Sequence, residues 1–176
     1  NMLDVKANPE SRPELAWIGI EPNTFGTDEF MQWCEEVGTE PYLCLNFGTG
    51  TLDEGMCSAL DLSVRSLLDI ALGWLEYCNS DRDTYYANLR RKMVAEALQR
   101  TFIHITRPKT TLSSHADDHK VKYWALGNEC WGPWQVEQMT KEDYAKKAYQ
   151  WAKALKLLDP SIVTILCGET GYSSWD

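Results

Sequence analysis

The sequence predicts an α/β fold with a parallel sheet. Two amphipathic helical segments, near residues 27–38 and 140–159, are each followed at once by a short apolar segment that is typical of a buried strand. A third such apolar segment, residues 121–129, precedes the second helix. Helices that alternate with short buried strands specify parallel strands joined by right-handed crossovers.

Four segments are predicted to be extended. Residues 15–23, LAWIGIEPN, form the first, and residues 41–48, PYLCLNFG, form a continuous apolar run that is typical of a strand buried on both faces. The other two are residues 121–129, VKYWALGNE, and residues 162–168, IVTILCG. The carboxyl ends of parallel strands meet at one edge of a sheet, so functional side chains are expected at Asn46, at Asn128 and Glu129, and at Glu169.

The first helix is predicted to begin at Thr27, a plausible N-cap, with Asp28 and Glu29 in its first turn. Gly38 is placed to end it. At helical spacing its apolar face consists of Phe30, Trp33, Cys34 and Val37.

The second helix carries the clearest pattern in the chain. Thr140 and Asp143 form a capping-box pattern at its start, and Asp159 and Pro160 stop it. Its apolar stripe consists of Tyr144, Ala148, Trp151, Ala152, Leu155 and Leu158.

Two segments interrupt the alternation, residues 55–70 and 93–119, and both are interpreted as insertions. Within the second, residues 106–119 are polar and predict an exposed loop. That loop carries His115 and His119 on either side of two aspartates, and a solvated loop is favoured there over a metal site.

Composition excludes several classes of protein. Acidic residues outnumber basic ones 26 to 17, giving a net charge of −9 that would repel a phosphate backbone, so nucleic acid is not an expected partner. No apolar run approaches the roughly 18 residues needed to span a bilayer, so no membrane partner is expected. Six cysteines are scattered without metal-ligand spacing and do not predict a disulfide framework.

Glu129 is the strongest candidate for a catalytic residue. It ends an apolar strand, follows Gly127, and has Trp124, Trp131 and Trp134 close to it in the sequence. A carboxyl group that indole rings shield from water has its charged form disfavoured, so that it can donate a proton near neutral pH. A glycosidase acid needs this property. The alternative is an exposed carboxylate that caps the next turn.

Three other residues are candidates with open alternatives. Asn128 offers amide donors and an acceptor that could hold a sugar hydroxyl beside the breaking bond. Glu169 could pair with Glu129 as acid and nucleophile, although a loop-end carboxylate is the favoured interpretation. Trp17 could be a sugar platform, and pattern alone favours a core residue.

The motifs YWALGNE and CWGPWQ, together with EPNTFGTDEFMQWC, PYLCLNFGTGT and CGETGYSSWD, resemble α-L-arabinofuranosidases of glycoside hydrolase family 51. The resemblance covers roughly residues 13–54, 71–92 and 120–176. It implies a (β/α)8 TIM barrel of which residues 1–176 supply a partial catalytic domain, about strands three to five. Such a barrel has about 250 residues, and the start of the chain has no initiator Met, so the chain is expected to be a fragment.

By position in these motifs, the resemblance implies that Glu129 is the general acid/base and that Asn128 binds the sugar 2-hydroxyl. It also implies that Trp17 lines the arabinose pocket. The family's nucleophilic glutamate would lie beyond Asp176, and Glu169 does not match it, so the fragment alone is expected to be inactive.

The implied activity is retaining hydrolysis of terminal α-L-arabinofuranosyl residues from arabinoxylan, arabinan and arabino-oligosaccharides. No metal or organic cofactor is implied, and a homo-oligomer of the full-length enzyme is left open. Two alternatives also stay open: another barrel glycosidase, such as a xylanase or endoglucanase, and a non-catalytic sugar-binding fragment. The insertions at 55–70 and 93–119 fall inside motifs that the family keeps continuous, which suggests unspliced sequence as one hypothesis.

Overall fold

The computed structural model describes residues 12–13, 20–21, 24–47, 67–104, 118–135, 138–169, 171 and 175. The strands in these residues are β1 (Arg12–Pro13), β2 (Ile20–Glu21), β3 (Tyr42–Leu45), β4 (Tyr123–Leu126) and β5 (Val163–Leu166). The helices are α1 (Thr27–Val37), α2 (Leu67–Asn79), α3 (Tyr85–His104) and α4 (Lys141–Leu158). None of the described helices has the length and apolar character that crossing a membrane requires.

The sheet is parallel, as predicted, and its strand order is β3-β4-β5. The last residues of the three strands, Leu45, Leu126 and Leu166, lie side by side in register. The predicted extended segment 15–23 is described only at Ile20–Glu21, which pairs antiparallel with Arg12–Pro13. The predicted extended conformation is therefore confirmed at these two residues, whose strand partner is β1.

The core lies between one face of the sheet and the helices. Leu43 and Leu45 of β3 are buried, whereas Tyr42 and Cys44 between them are exposed, so the predicted burial of β3 on both faces is wrong. Alternate side chains point to opposite faces of a strand, and the helices cover only one of them. The buried cluster joins the sheet to the helices through Trp74, Leu75, Trp124, Leu126, Ala148, Trp151 and Leu155.

Helix α1 begins at Thr27, but its N-cap is Gly26, so the prediction of Thr27 as the N-cap is wrong by one residue. The Gly26 N–H donates to Glu29 Oε2 at 2.9 Å. The helix ends as predicted at Gly38, which is in the left-handed conformation. Its buried residues are Thr27, Met31 and Cys34, and Phe30 is half-buried against the core. The predicted apolar face is confirmed for Phe30 and Cys34 and is wrong for Trp33 and Val37, which are exposed. The side of α1 that faces the core carries Thr27, whose Oγ1 accepts the indole N–H of Trp74 on α2.

Helix α4 confirms its predicted start and most of its stripe. The Asp143 N–H donates to Thr140 Oγ1 at 3.2 Å, which caps the helix. Leu158, the last predicted member of the stripe, is exposed. The buried members are Tyr144, Ala148, Trp151 and Leu155.

Two helices fill the connection between β3 and β4. Helix α2 begins inside the proposed insertion at 55–70, and α3 continues through the first part of the proposed insertion at 93–119, up to His104. Residues 55–66 and 105–117 lie outside the described part of the chain. The assignment of either segment as an insertion stays a prediction.

Candidate active site at the carboxyl edge of the sheet

The three strand ends bring the predicted polar residues to one edge of the sheet. Asn46 follows β3, Asn128 and Glu129 follow β4, and Glu169 follows β5. Asn46, Asn128 and Glu129 are exposed, and Glu169 is half-buried. Because β3, β4 and β5 are parallel and in register, this edge is the carboxyl edge, where α/β proteins bind their ligands.

The backbone after β4 is shaped by two residues in the left-handed region. Gly127 has φ 84° and Glu129 has φ 48°. A Cβ on Gly127 would lie 2.5 Å from Cys130 Sγ and 2.7 Å from Phe47 Cβ, so only glycine fits there. A left-handed glutamate is uncommon and costs free energy, and such conformations cluster at functional sites. The turn closes where the Gly132 N–H donates to the Glu129 carbonyl at 2.8 Å.

The Glu129 carboxylate is held by an aromatic side chain from the same loop. The indole N–H of Trp134 donates to Glu129 Oε2 at 3.1 Å. The Trp134 ring packs edge-on against Trp131 with 5.1 Å between centroids. Trp131 in turn donates its indole N–H to the Gly168 carbonyl, just beyond β5. The pair of indoles therefore connects the loop that follows β4 to the segment that follows β5.

The expectation that indoles shield Glu129 from water is wrong for the described residues. Both Glu129 and Trp134 are exposed. Trp124 is fully buried on the helix-facing side of the sheet, where it packs edge-on against Trp74. Strand alternation explains the difference, because Trp124 belongs to the face of β4 that the helices cover.

Three further residues were predicted to belong to the site: Asn128, Trp17 and Glu169. Asn128 is exposed beside Glu129, and its backbone carbonyl accepts a hydrogen bond from Gln135 Nε2 at 3.1 Å. Trp17 lies outside the described residues. The pairing of Glu169 with Glu129 as two catalytic carboxylates stays untested.

His119 corrects the interpretation of the polar segment before β4. Its side chain is only 4% exposed, with Nε2 3.6 Å from Asp28 Oδ1. Its backbone N–H donates to the Cys78 carbonyl at 2.7 Å. The expectation of a solvated loop is therefore wrong at this residue, which packs against α1 and α2, while His115 lies outside the described residues. Within the part of the chain that is described, no group of three His, Cys, Asp or Glu side chains is arranged to hold a metal ion.

Two residues of α4 reach this edge and were not predicted to do so. Tyr144 hydrogen-bonds the last residue of β4 and the first residue after β5, and Lys147 Nζ donates to the Phe47 carbonyl at 2.7 Å. The sequence assigned Tyr144 only to an apolar stripe. The hydroxyl of a buried tyrosine needs a hydrogen-bond partner, so the presence of Tyr144 in an apolar stripe could have predicted a polar contact at this position.

Cys130 lies beneath the turn that carries Glu129 and is buried. Burial, with a smaller contribution from Cys167, raises the pKa of the Cys130 thiol to about 12. The thiolate is the reactive form of cysteine, so Cys130 stays an inert packing residue at neutral pH.

Comparisons with known proteins agree on one family. A family model described as the alpha-L-arabinofuranosidase 1 domain matches residues 3–96. The probable alpha-L-arabinofuranosidase C of Aspergillus terreus is 59% identical over 94% of the chain and 26% of its own length. The alpha-L-arabinofuranosidase C of Emericella nidulans is 58% identical over 94% of the chain and 26% of its own length.

Solved structures give the same result. The GH51 α-L-arabinofuranosidase of Thermotoga petrophila aligns with a TM-score of 0.66 at 40% identity, covering 93% of this chain and 26% of that one. A family 51 α-L-arabinofuranosidase from Bifidobacterium longum aligns with a TM-score of 0.64 at 30% identity, covering 96% and 27%. The chain thus spans about a quarter of the length of these relatives.

Proposed function

The chain belongs to the α-L-arabinofuranosidases of glycoside hydrolase family 51, and from that premise we propose that the protein containing it hydrolyses terminal, non-reducing α-L-arabinofuranosyl residues. Its substrates are arabinoxylan, arabinan and arabino-oligosaccharides. The strands β3, β4 and β5 are then the third, fourth and fifth strands of a (β/α)8 barrel, and the exposed side chains of Tyr42 and Cys44 belong to the barrel interior.

The observation that carries this proposal is the position of Glu129. It stands at the carboxyl end of β4 with its carboxylate oriented by the Trp134 indole N–H. In a barrel enzyme this edge is where catalytic groups gather. Glu129 acts as the general acid that protonates the departing glycosidic oxygen, and Asn128 beside it holds the sugar 2-hydroxyl. Trp17 lines the arabinose pocket.

The reaction retains the configuration of the sugar. A second carboxylate, about 5 to 5.5 Å from Glu129, attacks the anomeric carbon, and Glu129 then acts as the base that activates water. No residue of the 176-residue chain matches this second carboxylate by its position in the family's motifs. The 176-residue chain by itself is therefore inactive under this proposal.

Hydrolysis by the full-length protein tests the proposal. We expect release of the aryl alcohol from an aryl α-L-arabinofuranoside and release of arabinose from arabinoxylan, with the first-formed sugar in the α configuration by NMR. Cleavage of the xylan backbone without release of arabinose would favour a barrel xylanase instead. Binding of arabino-oligosaccharides by calorimetry without turnover would favour a sugar-binding protein.

A further inference from the structure

One side chain of α4 joins the ends of two neighbouring strands. The Tyr144 hydroxyl donates to the carbonyl of Leu126 at 2.8 Å and accepts from the backbone N–H of Cys167 at 2.6 Å. Leu126 is the last residue of β4, and Cys167 directly follows β5. The phenol oxygen therefore bridges the two strands at the point where their own ladder of hydrogen bonds ends.

The ring of Tyr144 also contacts the segments that follow β3 and β5. It packs against Phe47, two residues beyond β3, with 5.8 Å between centroids, and against Trp175 at 4.8 Å. Trp175 is fixed in turn because its indole N–H donates to the Met139 carbonyl. A single buried side chain thus contacts the last residue of β4 and the residues just beyond β3 and β5.

The turn that carries Glu129 is held at both of its ends. Tyr144 holds the start through Leu126, and the Met139 N–H holds the other end by donating to the Cys130 carbonyl at 2.9 Å. Between these two anchors Glu129 keeps its left-handed φ of 48°. A strained residue keeps its conformation only when its surroundings determine it, so the anchors set where the Glu129 side chain begins.

We propose that Tyr144 is a positioning residue for Glu129: its hydroxyl fixes the carboxyl ends of β4 and β5 relative to each other and so places the carboxylate for proton donation. This inference rests on the proposed function of Glu129. Burial of Tyr144 raises the pKa of its phenol, so the hydroxyl keeps its proton at neutral pH and can both donate and accept.

Tyr144→Phe in the full-length enzyme is the direct test. The ring and its packing are kept, and only the two hydrogen bonds are lost. With a glycoside that has a poor leaving group, we expect kcat to fall about 10- to 100-fold with KM changed less than about twofold, because a small misplacement of a catalytic group costs this much. With an activated aryl arabinofuranoside, which needs less protonation, the fall should be several-fold smaller.

Tyr149→Phe is the matched control, since Tyr149 lies on the same helix and is 72% exposed. We expect its kinetic constants to equal those of the wild type. Assays are made well below the melting temperature of each variant, so that loss of folded protein is not counted as loss of catalysis. A Tyr144→Phe enzyme that melts earlier but keeps kcat on both substrates would overturn the inference, as would equal losses on both.

If Tyr144→Phe does not fold, 4-aminophenylalanine at position 144 replaces it, because its amine still donates to Leu126 but accepts poorly from Cys167. With the poor leaving group we expect kcat to fall several-fold relative to the wild type, and wild-type kcat would overturn the inference. The activity of the wild type distinguishes failure of the proposed function from failure of the positioning role of Tyr144. A wild type that does not hydrolyse arabinofuranosides overturns the proposed function, whereas an active wild type with an unaffected Tyr144→Phe variant overturns only the positioning role.

Discussion

The indole N–H of Trp134 and the Oε2 atom of Glu129 form a 3.1 Å hydrogen bond at the carboxyl edge of the sheet. Glu129 is exposed, so this bond and the turn of the backbone orient its carboxylate in place of burial. Trp134 is itself exposed and is supported from the side by Trp131. The proposed acid is thus oriented by its own loop, and each part of that arrangement can be tested separately.

Glu129→Gln in the full-length protein should lower kcat/KM with a poor leaving group by about 10²- to 10⁴-fold, because glutamine cannot donate the proton. With an activated aryl arabinofuranoside the loss should be much smaller. Glu142→Gln, at an exposed position in the first turn of α4, is the matched control and should leave both rates unchanged. Equal losses on the two substrates would argue against an acid role for Glu129.

Trp134→Phe should keep an aromatic ring in the loop and remove the hydrogen bond to Glu129. A hydrogen bond of about 1 kcal/mol corresponds to roughly a fivefold change in rate, so kcat/KM should fall by about that factor, more with a poor leaving group than with a good one. Trp33→Phe is the control, since Trp33 is exposed on α1. Wild-type rates in the Trp134→Phe enzyme would show that the bond does not orient the carboxylate during catalysis.

Local patterns predicted the elements of the fold well where one pattern determined the outcome. The cap at Thr140, the stop at Gly38 and the parallel strands all follow from turn chemistry and periodicity. The burial of α1 followed only in part, because its apolar residues cover much of its surface. The side that faces the core contacts residues distant in the sequence, as in the hydrogen bond between Thr27 and Trp74, which are 47 positions apart.

In the candidate site, too, local patterns predicted some features, whereas contacts between distant residues determined others. The strand ends placed Asn128 and Glu129 correctly at the carboxyl edge, since parallel strands must end together. Closeness in sequence suggested that Trp124 shields Glu129, but Trp124 lies on the face of β4 that the helices cover. The sequence also did not show that Tyr144 reaches Leu126, since that contact joins a helix to the end of a strand 18 residues away.

Leu155→Ala should destabilise the protein by about 2–5 kcal/mol, because it removes a fully buried side chain from the contact between α4 and the sheet and leaves a cavity. Leu157→Ala, two residues later on the same helix and 79% exposed, should change stability by less than about 0.5 kcal/mol. Thermal midpoints of the two variants and the wild type provide the comparison. Similar midpoints for the two variants would contradict the packing of α4 described above.

Asp159, the C-cap of α4, should make stability depend on acid pH. Desolvation acts to raise its pKa, but hydrogen bonds from Ser161 and Asn79 outweigh it, and the pKa of the folded carboxyl lies below its usual value. A depressed pKa in the folded state contributes stability that is fully present above the unfolded value of about 3.9. That contribution is lost as the pH falls through the lower folded value.

Asp159→Asn should therefore be less stable than the wild type at pH 7, and the difference should shrink as the pH is lowered from about 4 towards 2, where the wild-type carboxyl becomes neutral as well. Urea midpoints at each pH measure the difference. Asp81→Asn, at an exposed position after α2, is the control and should change stability by less than about 0.5 kcal/mol at pH 7. A difference for Asp159→Asn that stays constant down to pH 2 would mean that the Ser161 and Asn79 bonds do not favour the charged carboxylate.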